Sequence, residues 1–231
     1  EISDQLLSDS LAALLLEAIA KADQGYTLRG DFPVMETLKD ELREESKAAA
    51  PRVFAVNNFL FNILFRLVYG EFIAHVTNLR TELASKVGVN PYDSAQWMHL
   101  LGKNNAVIAD KYICGDYSGF DQMHDAEMLS VFFDIADEWI FATRPKFDYE
   151  PTAALTGELD RIPYWTTRQL CAALKDVIIN TIYVNDGFAY SYTGGNTSGN
   201  PATVVINSII NECLLTAAYF AIKSQHTGEF P

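Results

Sequence analysis

Thr193-Gly194-Gly195-Asn196-Thr197-Ser198-Gly199-Asn200-Pro201-Ala202-Thr203 runs straight into Val204-Val205-Ile206-Asn207-Ser208. A glycine-rich loop thus empties into an apolar helical run. Thr203 and Asn207 are four apart, so they lie one above the other on one helix face. With Ser198 just upstream, that face offers hydroxyls and a carboxamide to a polar ligand. Val205, Ile206 and Ile209 pack behind it. The glycines let the backbone approach a ligand closely and adopt positive φ. The same letters also suit an ordinary loop ending in a helix cap, where Ser, Thr and Asn are favoured.

A second cluster, about eighty residues upstream, tips the balance. Ile113-Cys114-Gly115-Asp116-Tyr117-Ser118-Gly119-Phe120-Asp121 carries two carboxylates with four residues between them. The segment 106–114 before it is short, β-branched and aromatic, which predicts a strand. Gln122 to Ile140 after it predicts a helix. Asp116 therefore falls at the carboxyl end of a strand, where open α/β sheets place ligands.

The two clusters resemble motifs A and B of the picornavirus-like RNA-dependent RNA polymerases. Two aspartates at this spacing match the first; Ser-Gly, then Thr, then Asn-Ser match the second. Leu38-Lys39-Asp40-Glu41-Leu42-Arg43, followed by Lys47 and Arg52, is similar to the basic motif F of that family. Val87-Gly88-Val89-Asn90-Pro91 with Trp97 resembles the segment between motifs F and A. All four stand in family order and together span nearly the whole chain. No Gly-Asp-Asp, the mark of motif C, occurs in the sequence.

The resemblance implies an α/β, helix-rich right-hand fold: a fingers portion over 1–105 with motif F, and a palm portion over 106–231 with motifs A and B. A fingers-type insertion is expected near 145–192. The chain is read as cut before motif C and the thumb, and so as inactive in isolation. The implied function is template-directed RNA synthesis from ribonucleoside triphosphates in the replication of a positive-strand RNA virus.

Composition bounds this reading. The 231 residues are 49% hydrophobic and 20% charged, enough to bury a sizeable core. A net charge of -13 argues against binding nucleic acid through overall charge. Lys39, Arg43, Lys47 and Arg52 nevertheless form a local basic strip, and metal-binding aspartates need no positive field. Cys114, Cys171 and Cys213 lack metal-ligand spacing and are expected to be reduced, mostly buried thiols. No signal peptide or membrane-spanning stretch is expected.

Nucleotidyl transfer needs negative charge neutralised on phosphoryl oxygens, a task for two divalent ions. In the resembled family Asp116 would be the catalytic metal ligand for Mg²⁺ or Mn²⁺. Asp121 and Asn207 would read the ribose of the incoming nucleotide, with Ser198, Gly199 and Thr203 beside them. Lys39, Arg43, Lys47 and Arg52 would line the triphosphate path. Arg52 is favoured because it stands away from the acids in sequence. The implied partners are RNA template and primer, ribonucleoside triphosphates and other viral replication proteins. The implied location is the host cytoplasm, at membrane-associated replication complexes.

Other residues read as structure. Asp125 and Glu127 look like solvated helix charges. His75, His99, His124 and His226 have no ligand spacing. Phe61, Phe65, Tyr69 and Phe72 suit a core helix over 59–76. Leu6 to Lys21, 91–101, Tyr164 to Asn180 and Ser208 to Ile222 also read as helical. Val34 to Leu42 and Val53 to Asn57 read as strands. Ile182-Tyr183-Val184, a turn at Asp186-Gly187, and Phe188-Ala189-Tyr190 predict a hairpin. A reverse transcriptase shares the palm plan, but Asn207 speaks against it. A non-catalytic RNA-binding or scaffold remnant is the other alternative.

Overall fold

The computed structural model describes residues 9–41, 52–106, 115–143 and 167–227. Among the described residues, seven helices and four strands run in the order α1 (Asp9–Asp23), β1 (Val34–Leu38), β2 (Val53–Val56), α2 (Phe59–Asn78), α3 (Ser94–Ala106), α4 (Phe120–Met123), α5 (Ala126–Thr143), α6 (Arg168–Ile179), β3 (Ile182–Asn185), β4 (Phe188–Ser191) and α7 (Thr203–Thr227). Most expected elements are present. Both early strands end sooner than their composition suggests. Pro91 lies in a turn ahead of α3 rather than in its first turn. The strand expected over 106–114 falls outside the described residues, except that Ala106 ends α3. Cys114, Arg43, Lys47, and Tyr164-Trp165 also lie outside them.

α2 is the centre of the core. Asn58 caps it by accepting from the Leu60 amide at 2.8 Å. Phe61, Leu64, Phe65, Val68, Tyr69, Phe72 and Val76 are all buried along its length. Its aromatic rings continue into α5: Tyr69 meets Phe133 edge-on at 5.6 Å and Phe72 meets Phe132 at 5.9 Å. α5 answers with Leu129, Phe132, Phe133, Ala136 and Ile140, a helical stripe. The Tyr69 hydroxyl donates to Asp137 at 2.9 Å. Burial raises the Asp137 carboxyl and pushes the Tyr69 phenol well up. Cys171, on α6, is buried in the same core, whereas Cys213 is exposed.

The sheet has the order β2-β1-β3-β4, with β1 antiparallel to β2 and parallel to β3. β3 and β4 form the expected hairpin, turning through Asp186 and Gly187, both at positive φ. Tyr190 and Tyr192 are exposed on it rather than packed in a core; Tyr190 stacks on Tyr183 at 5.3 Å.

Two features correct the sequence reading. First, the single helix expected over 122–140 is broken. His124 takes an extended conformation between α4 and α5, and Asp125 starts α5 by accepting from the Met128 amide at 2.8 Å. Asp125 is therefore a cap rather than a solvated helix charge. Second, Phe59–Asn78 and Thr203–Ser224 are long and apolar enough to cross a membrane by length and composition. For α2 that apolarity is spent on the core. α7 instead exposes Leu215, Tyr219, Phe220 and Ile222.

Candidate nucleotide site

Three distant segments meet at one open cleft of about 1220 Å³. Lys39, Asp40, Arg52, Asp116, Asp121, Ser198 and Asn207 line it, together with Tyr117 and Phe120. Six of the ten residues singled out from sequence are thus brought together.

The sheet and the glycine loop are joined through β2. Among the described residues it is an edge strand, with one side of its backbone free of ladder partners. The Ala55 amide uses this edge to donate to Ser198 Oγ at 3.1 Å. Gly199 packs so tightly behind Ser198 that a Cβ on it would collide with the Ala55 carbonyl oxygen. The need for glycine at 199 is therefore one of backbone approach to β2. Gly199 itself does not line the cleft.

The loop is equally fastened to α4. The amides of Gly195 and Asn196 donate to the carbonyls of His124 and Asp121, at 2.6 and 2.7 Å. Gly194 has φ 93°, and a Cβ there would lie 2.7 Å from the His124 carbonyl oxygen. The break after α4 frees these carbonyls, and only a glycine lets the loop reach them.

Thr203 differs from expectation. Its hydroxyl donates inward, to the carbonyls of Thr197 at 2.6 Å and Asn200 at 2.8 Å. At the first turn of α7 those loop carbonyls are nearer than the cleft, so Thr203 closes the loop on itself. Asn207, one turn on, does reach the cleft. Its Nδ2 donates to Asp121 Oδ1 at 3.1 Å. Its Oδ1 accepts from Asn196 Nδ2 at 2.8 Å and faces His124 Nε2 at 2.9 Å.

The cleft also takes two bases from the β1–β2 hairpin. The Lys39 amide donates to the Arg52 carbonyl at 2.8 Å, continuing the β1–β2 ladder and setting the two bases side by side. Both reach Glu41: Lys39 Nζ at 3.2 Å and Arg52 Nη1 at 3.5 Å. Arg52 therefore does not stand away from the acids, because the hairpin folds it back onto a carboxylate eleven residues upstream. The cleft holds two bases against the carboxylates of Asp40, Asp116 and Asp121. A bare anion would meet repulsion there; an anion bridged by a divalent cation would not.

The sequence reading passed over His124 and the ring pair of Tyr117 and Phe120, stacked at 4.4 Å. Tyr117 is tied to α7 through Asn211 at 3.1 Å. The adjacency of both to Asp121 was the available signal.

A family model described as viral RNA-dependent RNA polymerase matches residues 9–230. The chain belongs to that family. The chain is 32% identical over 200 residues to the replicase polyprotein of acute bee paralysis virus, covering 85% of the chain and 9% of the polyprotein. It is 29% identical over 194 residues to the genome polyprotein of Rice tungro spherical virus, strain Vt6, covering 81% and 5%. Among solved structures it matches a Sicinivirus 3Dpol RNA dependent RNA polymerase with a TM-score of 0.53 and 19% identity. That match covers 86% of this chain and 36% of the solved one, and it shows a shared fold. The α/β, helix-rich polymerase core expected from the motifs is thus present.

Proposed function

We propose that this chain supplies the fingers and part of the palm of a polymerase that copies an RNA template from ribonucleoside triphosphates during viral genome replication. The observation that carries the reading is the convergence on one cleft of Asp116, the Asp121–Asn207 pair, Ser198 and the two bases Lys39 and Arg52. Their chemistry is ordered: carboxylate near the reacting phosphate, an acceptor–donor pair for the sugar, cations for the outer phosphates.

The donor set fits a hard divalent cation. Asp116 and Asp121 offer carboxylate oxygens, which Mg²⁺ and Mn²⁺ prefer. Among the described residues no three His, Cys, Asp or Glu side chains cluster as a complete metal site. Mg²⁺ in phosphoryl-transfer sites takes one or two carboxylates, with substrate oxygens and water completing the shell. Asp116 would hold it, and bound there it would neutralise charge building on the α-phosphate. Arg52 and Lys39 would leave Glu41 for the β- and γ-phosphates; the guanidinium suits this because it grips two oxygens at once. Asp121 would accept from a ribose hydroxyl, and Asn207 would donate a second Nδ2 hydrogen to its oxygen. The 2′-hydroxyl is what separates a ribonucleotide from a deoxynucleotide.

The test is primer extension on an RNA template by the polymerase that contains this chain. Asp116→Ala is expected to lower elongation by more than the roughly 10–100-fold that even an outer partner of a metal ligand is worth, with an unchanged melting temperature. The 231 residues alone, lacking Gly-Asp-Asp, are expected not to extend a primer. Near-normal elongation by well-folded Asp116→Ala would remove Asp116 from the chemistry.

A further inference from the structure

We propose that His124 is a positioning residue for ribose selection: its Nε2–H locks the Asn207 carboxamide with the amide nitrogen toward Asp121 and the cleft. The proposal rests on the reading of Asp121 and Asn207 as the sugar-sensing pair.

His124 is 1% exposed and does not itself line the cleft. The orientation of its neighbours dictates its own proton. A carboxylate only accepts, so the Asn207 atom 3.1 Å from Asp121 Oδ1 is the NH₂ nitrogen. The carboxamide oxygen then faces the other way, onto Asn196 Nδ2 at 2.8 Å and His124 Nε2 at 2.9 Å. An oxygen flanked by two nitrogens needs both to donate. His124 therefore carries its hydrogen on Nε2, and one carboxylate in the cleft sets the tautomer of a buried imidazole through an intervening amide.

The rest of the ring's surroundings argue against a space-filling role. In this tautomer Nδ1 keeps a lone pair, and Nδ1 is buried with no hydrogen-bond partner among the described residues. An unpartnered buried acceptor costs stability. An apolar side chain would fill the same space beneath Phe120, whose ring meets the imidazole edge-on at 4.5 Å, without that cost. What an apolar residue cannot supply is the Nε2–H. The backbone is arranged to aim it. His124 sits at the break between α4 and α5, its carbonyl held by the Gly195 amide. Asn196, the other donor, enters from the same loop. Together they leave Asn207 one free direction for its second Nδ2 hydrogen: toward whatever occupies the cleft.

The experiment is single-nucleotide incorporation of ATP and dATP by the complete polymerase, with kcat and KM measured separately and a thermal melt for each variant. His124→Leu is expected to lower the ATP over dATP ratio of kcat/KM roughly three- to tenfold, the worth of one hydrogen bond. The loss is expected in the KM for ATP, with dATP nearly unchanged. His124→Gln places an amide N–H where Nε2 stood and is expected to restore the ratio. A wild-type ratio in well-folded His124→Leu would overturn the proposal, as would failure of well-folded His124→Gln to restore it. Asn207→Asp in the same assay separates the two readings. If it lowers the ratio and His124→Leu does not, only the role of His124 fails. If it also leaves the ratio unchanged, the sugar-sensing reading fails. Nitrogen-15 spectra of the histidine-labelled wild-type polymerase test the proposal without any variant: hydrogen on Nε2 is expected, and a ring with hydrogen on Nδ1 alone overturns it.

Discussion

Asn207 and Lys39 line the same cleft, and they are held in opposite ways. The Asn207 carboxamide has partners on Asp121, His124 and Asn196, the last two buried. Lys39 and Arg52 are 47% and 60% exposed and share Glu41 through surface ion pairs. Such pairs are worth about 0–1 kcal/mol. One wall is fixed before a ligand arrives; the other is held by contacts weak enough to be exchanged for phosphate. The contrast follows the chemistry. A sugar hydroxyl is recognised by direction, which requires fixed partners. A triphosphate is recognised by charge, which tolerates side chains that swing from one anion to another.

The first way to break the comparison is to unseat the fixed wall. Gly199→Ala places a Cβ against the Ala55 carbonyl, and backbone cannot yield as a side-chain tip can. We expect a cost of about 1–3 kcal/mol or more, read as a melting-temperature fall of several degrees. Discrimination between ATP and dATP should suffer with it, because the Ser198 and Asn196 loop is no longer seated. A variant with unchanged melting and kinetics would mean that the loop does not depend on its contact with β2.

A smaller effect is expected on the exchangeable wall. Glu41→Gln removes the shared acid and should lower the KM for nucleoside triphosphates about two- to fivefold, the range of a surface ion pair. The melting temperature should hardly move. A raised KM would show that Glu41 aims the two bases rather than occupying them, and the wall would have to be regarded as fixed after all.

The smallest effect concerns a polar pair away from the cleft, buried Tyr69 and half-buried Asp137. Burial raises the Asp137 carboxyl above its ordinary 3.8. A raised acid binds its proton more tightly in the folded than in the unfolded chain, so ionising it costs stability. That cost is absent below about pH 4 and sets in as pH rises through the folded value. Asp137→Asn should therefore compare more favourably with the wild type at pH 7 than near pH 4, in thermal melts at both. Nucleotide selectivity should stay as it was. A difference that moves the opposite way with pH would show that the hydrogen bond from Tyr69, which favours the carboxylate, outweighs burial in deciding the ionisation.

Much of the site was legible from sequence because its parts are local patterns. Asp116 and Asp121 flank a glycine turn, and Asn207 follows the glycine loop at a helical offset. Both the hairpin turn and the aromatic face of α2 are likewise written in short-range spacing. What stayed hidden was set by contacts between distant segments. His124 meets a partner 83 residues away, so no i, i+4 pattern could reveal it. Arg52 looked free of acids until the β1–β2 ladder set it beside Lys39 and Glu41. Gly199 passed for a ligand-facing residue because nothing local announces the β2 edge pressed against it. Thr203 shared a helical face with Asn207 but lay one turn too early to reach the cleft.

The central claim is that Asn207 and Asp121 form a preset reader of the ribose. Its most direct test is Asn207→Asp in the complete polymerase, measured by single-nucleotide incorporation of ATP against dATP beside a thermal melt. Replacing the amide removes the donor to Asp121 and sets two carboxylates face to face. We expect the preference for ATP to narrow by about tenfold or more, since a site built to bond a hydroxyl discriminates strongly, with a comparatively small change in melting. Unchanged selectivity with a large fall in melting temperature would contradict the claim and assign the pair to fastening α4 against α7.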